Sequence, residues 1–319
     1  MKLKSVFVDQ SNVIRSGWRF AIFLAVFLFL VIAFGGLSGP LFNATDIPTA
    51  QQSNLYLFVT GVFTLTAALL ASWLCGRLLE NLPFKTLGAS FTTSWLTHFV
   101  FGVFIGTVTL GFAVLIASTL GGLRFSFNND QGSRAMLLSM GASLAVFAVG
   151  AAWEEALFRG YIFQTFLRSG FGWLAILLTS SFFGIVHLGN PNASAISTVN
   201  TVLAGIWFAV AYLKTRDLWF VWGMHLIWNW TQGSIFGIEV SGITSITTAP
   251  LLKEIDKGPT WLTGENYGIE GGIACTAALI ASTLAIYFIL VIRPSEEMLA
   301  LTTPRPPREL ASAKLSQIS

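Results

Sequence analysis

The chain has 319 residues, 54% of them hydrophobic and only 10% charged, against about 25% charge in an ordinary soluble domain. Water is therefore excluded as the main solvent of the fold. The formal net charge of +3 would suit an acidic partner, but Lys and Arg lie mainly in short segments between apolar runs and form no basic stripe interleaved with aromatics, which excludes nucleic acid and leaves the lipid bilayer.

Taken in order, the apolar runs predict an all-α, polytopic transmembrane helical bundle of about eight spans, near residues 17–38, 55–77, 97–120, 137–167, 172–188, 194–214, 218–237 and 272–292. Their lengths are near the ~20 residues with which a helix rising ~1.5 Å per residue crosses ~30 Å of hydrocarbon. Turn and cap chemistry separates them at Gly39-Pro40, Asn81-Leu82-Pro83, Gly121-Gly122, Ser169-Gly170, Gly189-Asn190-Pro191 and Arg216-Asp217. Lys2, Lys4, Arg15 and Arg19 precede or open the first run, which exceeds a signal-peptide core and lacks a small-residue cleavage site, so it reads as a retained span. Three spans and their connections occupy 1–134, and spans four to seven form a core segment over 135–237. A Ser-, Thr- and Gly-rich extracytoplasmic segment over 238–271 is either a lid or a loop; a final span (272–293) and a disordered cytoplasmic tail (294–319) with Pro304, Pro306 and Pro307 follow.

On this map all but four of the 18 Lys and Arg residues fall on one side, the other side holding Arg124, Arg134, Lys253 and Lys257. The positive-inside rule then places both termini in the cytoplasm. Cys75 and Cys275 fall near opposite ends of their spans, so no disulfide is expected.

An ionisable group inside hydrocarbon costs at least a few kcal/mol and is a functional candidate by default. Span four carries Glu154, Glu155 and Arg159, span five ends in Phe183 and His187, and span seven carries His225 and Asn229. Glu155 and Arg159 are i,i+4 neighbours in the favourable order for an ion pair, a structural role. Glu154 points ~100° around the helix and keeps no local partner, which makes it the carboxylate free for chemistry. His225 and Asn229, also i,i+4, present nitrogen-bearing side chains on one face. Counting rise from the cytoplasmic helix ends brings Glu154, His187, His225 and Asn229 to overlapping depths within the membrane. Phe183 reads as a packing residue, and His98 as interfacial at the start of span three.

These segments resemble the CPBP family, the CAAX proteases and bacteriocin-processing enzymes also called Abi proteins. EExxxR stands here as Glu154 to Arg159, FxxxH as Phe183 to His187 and HxxxN as His225 to Asn229, in the family's order and spacing. Leu82-Pro83-Phe84-Lys85-Thr86-Leu87-Gly88 after span two is a weaker likeness. The resemblance implies a membrane-embedded endopeptidase in which Glu154 and His187 activate a water, His225 and Asn229 stabilise the oxyanion, and Glu155 and Arg159 support the site. No cofactor is favoured. A zinc ion on Glu154, His187 and His225 is the alternative, weakened by the absence of HExxH and by Asn being a poor zinc ligand. A transporter or an immunity or signalling scaffold is the non-catalytic alternative, without an internal repeat to support transport. The expected substrate is a peptide or membrane protein, lipidated or not, and the expected location is a bacterial plasma membrane.

Overall fold

The structure, a computed structural model, describes residues 4–8, 13–43 and 53–303. The part of the tail from Pro304 onward, expected to be disordered, lies outside the described residues. The main helices are α1 (Ser16–Asn43), α2 (Asn54–Glu80), α3 (Trp95–Leu120), α4 (Ser133–Phe158), α5 (Tyr161–Arg168), α6 (Gly172–Val186), α7 (Ala195–Thr215), α8 (Leu218–Trp230), α9 (Ile273–Phe288) and α10 (Glu296–Thr302). Among the described residues, six segments are long and apolar enough to cross a membrane: α1 through Gly36, α2, α3, α4 together with α5, α6 with its following turn, and α7. This is the expected all-α polytopic bundle, and the protein is an integral membrane protein. The seventh and eighth expected spans are shorter, 13 residues for α8 and 16 for α9.

Two helix boundaries differ from the sequence reading. α8 does not continue regularly to 237, because after Trp230 the backbone widens over Thr231–Ile235, where the Phe236 amide donates to the Thr231 carbonyl five residues back. Such widened turns are frequent at functional sites. The fourth span is not one helix either. Gly160 separates α4 from α5 with a backbone (φ −71°, ψ −132°) in which a Cβ would stand 2.0 Å from the Ala156 carbonyl oxygen. A depth for Glu154 counted along an unbroken helix therefore does not apply.

The connections expected on a common side do meet. At one end, Arg19 and Arg168 both bind Glu80, and Lys85 pairs with Glu297 of α10. At the other, β1 (Arg124–Phe127) pairs antiparallel with β2 (Leu252–Ile255), and Lys253 reaches Asp130. Cys75 and Cys275 are both free and buried.

In the bundle, α8 lies closest to α3. Built Cβ atoms at Gly102 and Gly223 would come within 2.1 Å of the Phe220 carbonyl oxygen and 2.5 Å of the Phe99 carbonyl oxygen, the small-residue contact by which membrane helices approach. His98, in the first turn of α3, belongs to this contact. It is buried, and its Nδ1 meets the Asp217 carboxylate. Asp217 also caps α8, accepting from the amides of Trp219 (3.1 Å) and Phe220 (3.3 Å). Asp217→Ala removes the cap and leaves His98 unpaired, and should lower stability by ~1–3 kcal/mol in reversible unfolding from mild detergent; an unchanged midpoint would refute this role.

Glu254 on β2, opposite Phe125 in the ladder, has its carboxyl pushed from 4.5 up to about 8 by burial first, then by the neighbouring Glu239 and Asp256. The folded protein therefore holds a proton there that the unfolded chain releases, so stability contributed by this group falls as pH rises from 4.5 to about 8. In Glu254→Gln the unfolding temperature should decline less between those pH values than in the wild type.

Candidate active site

Each of the three paired motifs is carried on a helix or at its end, and two of them are closed by a contact within the pair. On α4, the Arg159 Nη1 lies 3.1 Å and 3.2 Å from the two oxygens of Glu155, so the expected i,i+4 pair forms. Both side chains are buried, at 1% and 0% exposure. Arg159 is held further by Nη2 donating to the Gly205 carbonyl at 2.9 Å and by lying 5.0 Å over the rings of both Phe183 and Phe208. At the end of α6, His187 Nδ1 donates to the Phe183 carbonyl at 2.7 Å, since a carbonyl only accepts. Phe183 thus does more than pack: its carbonyl fixes His187, while its ring stands 4.7 Å from His187 and 6.1 Å from His225.

On α8, His225 Nδ1 lies 2.8 Å from Glu155 Oε1, a bond that the sequence did not suggest. Glu155 is consequently shared between Arg159 and His225. The other ring nitrogen, Nε2, lies 3.9 Å from Glu154 Oε2, and that oxygen is buried without a hydrogen bond among the described residues. Stacking on Phe208, 4.7 Å away, fixes the plane of the ring.

Glu154, His187, His225 and Asn229 all line one cavity of about 360 Å³. That volume lies within the ~300–1,000 Å³ usual for ligand sites. The wall is otherwise mostly apolar, with Phe147, Trp207, Phe208 and Trp228 among its larger residues. The cavity is not confined to 135–237. Val240, Ser241, Ile243 and Ile246 of the 238–271 segment cover it, and Cys275 and Leu279 of α9 close one side.

The roof is fastened by residues that sequence reasoning missed. Glu270 accepts from Trp228 Nε1 at 3.0 Å through one oxygen, and from the Ser241 amide and hydroxyl at 2.7 Å through the other. Asn190, just beyond His187, donates to the Ser241 carbonyl at 3.1 Å. Glu270 lies two glycines before the final apolar run, and without periodicity that placement gave no signal. These bonds make 238–271 a structured roof, not a loose connection.

Both imidazoles have Nδ1 engaged and Nε2 free of it, the way metal-bound histidines are commonly oriented. Yet among the described residues no three His, Cys, Asp or Glu side chains stand close enough together to hold a metal ion. As placed, the set does not fit a three-ligand metal centre.

Residues 136–231, which include Glu154, Phe183, His187, His225 and Asn229 of the cavity wall, match the family model described as type II CAAX prenyl endopeptidase Rce1-like. No curated protein and no solved structure matches the chain. This segment, set in a bundle of long apolar helices, is similar to the CAAX proteases and marks the protein as a membrane-embedded peptidase.

Proposed function

We propose that the protein hydrolyses a peptide bond of a membrane-associated substrate with a water held between Glu154 and His187. The observation that carries this is the meeting, in one largely apolar cavity, of an unpartnered Glu154 oxygen with side chains from three helices. Neutral His187, with Nδ1–H given to Phe183, offers Nε2 as an acceptor. A water giving one hydrogen to Nε2 and the other to Glu154 points its lone pair at the substrate carbonyl carbon. As the C–O bond forms, Glu154 takes the proton; collapse of the tetrahedral intermediate breaks the C–N bond, and that proton passes to the leaving amine.

Asn229 and His225 are the oxyanion donors in this reading. Such donors are commonly worth ~3 kcal/mol each in a water-poor site. For His225 the role carries a condition: its Nδ1 proton is given to Glu155, so Nε2 donates only when the ring is doubly protonated. The substrate is a peptide segment at the membrane; a prenylated tail is the form the family description suggests. Both termini are assigned to the cytoplasm by the Lys and Arg distribution, and a bacterial plasma membrane is the proposed location.

In purified protein, Glu154→Gln and His187→Ala should each lower kcat by ~10²-fold or more while leaving the unfolding temperature near that of the wild type; full activity in either variant overturns the assignment. Asn229→Ala should lower kcat by ~10²-fold with little change in KM.

The second reading places a zinc ion on Glu154, His187 and His225. The two free Nε2 atoms favour it and the spacing of the three side chains opposes it, so no step is derived through a metal. Activity that survives exhaustive chelation, with no metal bound by mass spectrometry, supports the water mechanism; loss on chelation with recovery on adding zinc replaces it with the metal one.

A further inference from the structure

Glycine inside a helix is less favourable than alanine because its backbone loses more freedom on folding. Several glycines within this bundle have a packing reason to be there. A Cβ at Gly184 would stand 2.4 Å from Val202 Cγ2, and one at Gly205 2.7 Å from Ser180 Cα. Gly150 in α4 has no such reason: nothing lies within 4 Å of a Cβ built there. Gly111 and Gly141 are equally open, but both are exposed and neither lines the cavity. Gly150 is half-buried and does line it, one turn before Glu154.

The wall on that side is apolar. Val146 and Phe147 flank Gly150 on α4, and Val240 and Ile246 contribute from the roof, whereas Glu154, His187 and His225 bring the charge and the imidazoles. One turn of helix separates Gly150 from Glu154 by ~6 Å. An extended peptide covers that distance in about two residues at ~3.3 Å each.

We infer that Gly150 is a specificity-determining residue: the space over it is a subsite for an apolar side chain lying within about two residues of the cleaved bond. The inference rests on the hydrolase reading above and adds to it where the substrate lies. The cavity is small enough, at about 360 Å³, that a side chain added at Gly150 competes directly with one brought by the substrate.

The test uses the full-length protein in detergent with internally quenched, prenylated CAAX peptides carrying Ala or Leu at one position at a time around the scissile bond. At the position that occupies the subsite, Gly150→Leu should lower kcat/KM for the Leu peptide relative to the Ala peptide by ~10-fold or more. Gly150→Ala should fall between it and the wild type, and Gly141→Leu should leave the ratio unchanged. Unfolding temperatures of the Gly150 variants should be at or above that of the wild type; if the Leu variant does not fold, the Ala variant carries the same comparison. A wild-type ratio at every position, or an equal loss on all peptides, overturns the subsite while leaving the hydrolase reading standing. A wild type that cleaves none of the peptides overturns that reading, and the subsite with it.

Discussion

The arrangement depends on one buried carboxylate. Glu155, at 1% exposure, binds Arg159 of its own helix turn and His225 of α8. Breaking a buried charge pair by removing one partner costs several kcal/mol, because the remaining charge is left without compensation. Arg159 extends the link to α7 through the Gly205 carbonyl and to α6 through the Phe183 ring. Four helices are thereby referred to a single charge cluster, and His225 is turned so that its Nε2 faces Glu154. Glu155 thus sets the direction in which the His225 ring points.

The short-range part of this was readable in the sequence. Glu155 with Arg159, Phe183 with His187 and His225 with Asn229 are all i,i+4 pairs, and helical geometry alone puts each pair on one face. The apolar runs gave most of the helices for the same reason: hydrocarbon thickness imposes a length that composition reveals. Contacts between distant segments left no local trace. Glu155 and His225 are 70 residues apart, and His98 and Asp217 are 119 apart. No periodicity reports such a meeting. The partner of His98 was hidden because its nearest neighbours in sequence say nothing about Asp217, beyond the end of α7.

The break at Gly160 was missed for a different reason. The residues on both sides are apolar enough to read as one span, and α4 with α5 together make one candidate span of 36 residues. What ends the helix is a backbone conformation that only the absence of a Cβ permits, and a glycine within an apolar run carries no sign of whether it serves packing, a turn or an open space. Gly102, Gly160 and Gly150 illustrate these three uses within one chain.

The roof over the cavity shows how a membrane protein can cover a reactive site with irregular backbone. A segment without regular structure has amide and carbonyl groups that hydrocarbon cannot satisfy. Here they are met by side chains near the cavity: Glu270 takes the Ser241 amide, Asn190 takes its carbonyl, and Gln232 binds the Glu239 carbonyl at 2.6 Å. Glu270 also holds Trp228, the residue before Asn229, and Asn190 follows His187 by three residues. The bonds that satisfy the cover's backbone are therefore the ones that tie it to the ends of α6 and α8, so displacing the roof disturbs the anchoring of both elements that carry the imidazoles.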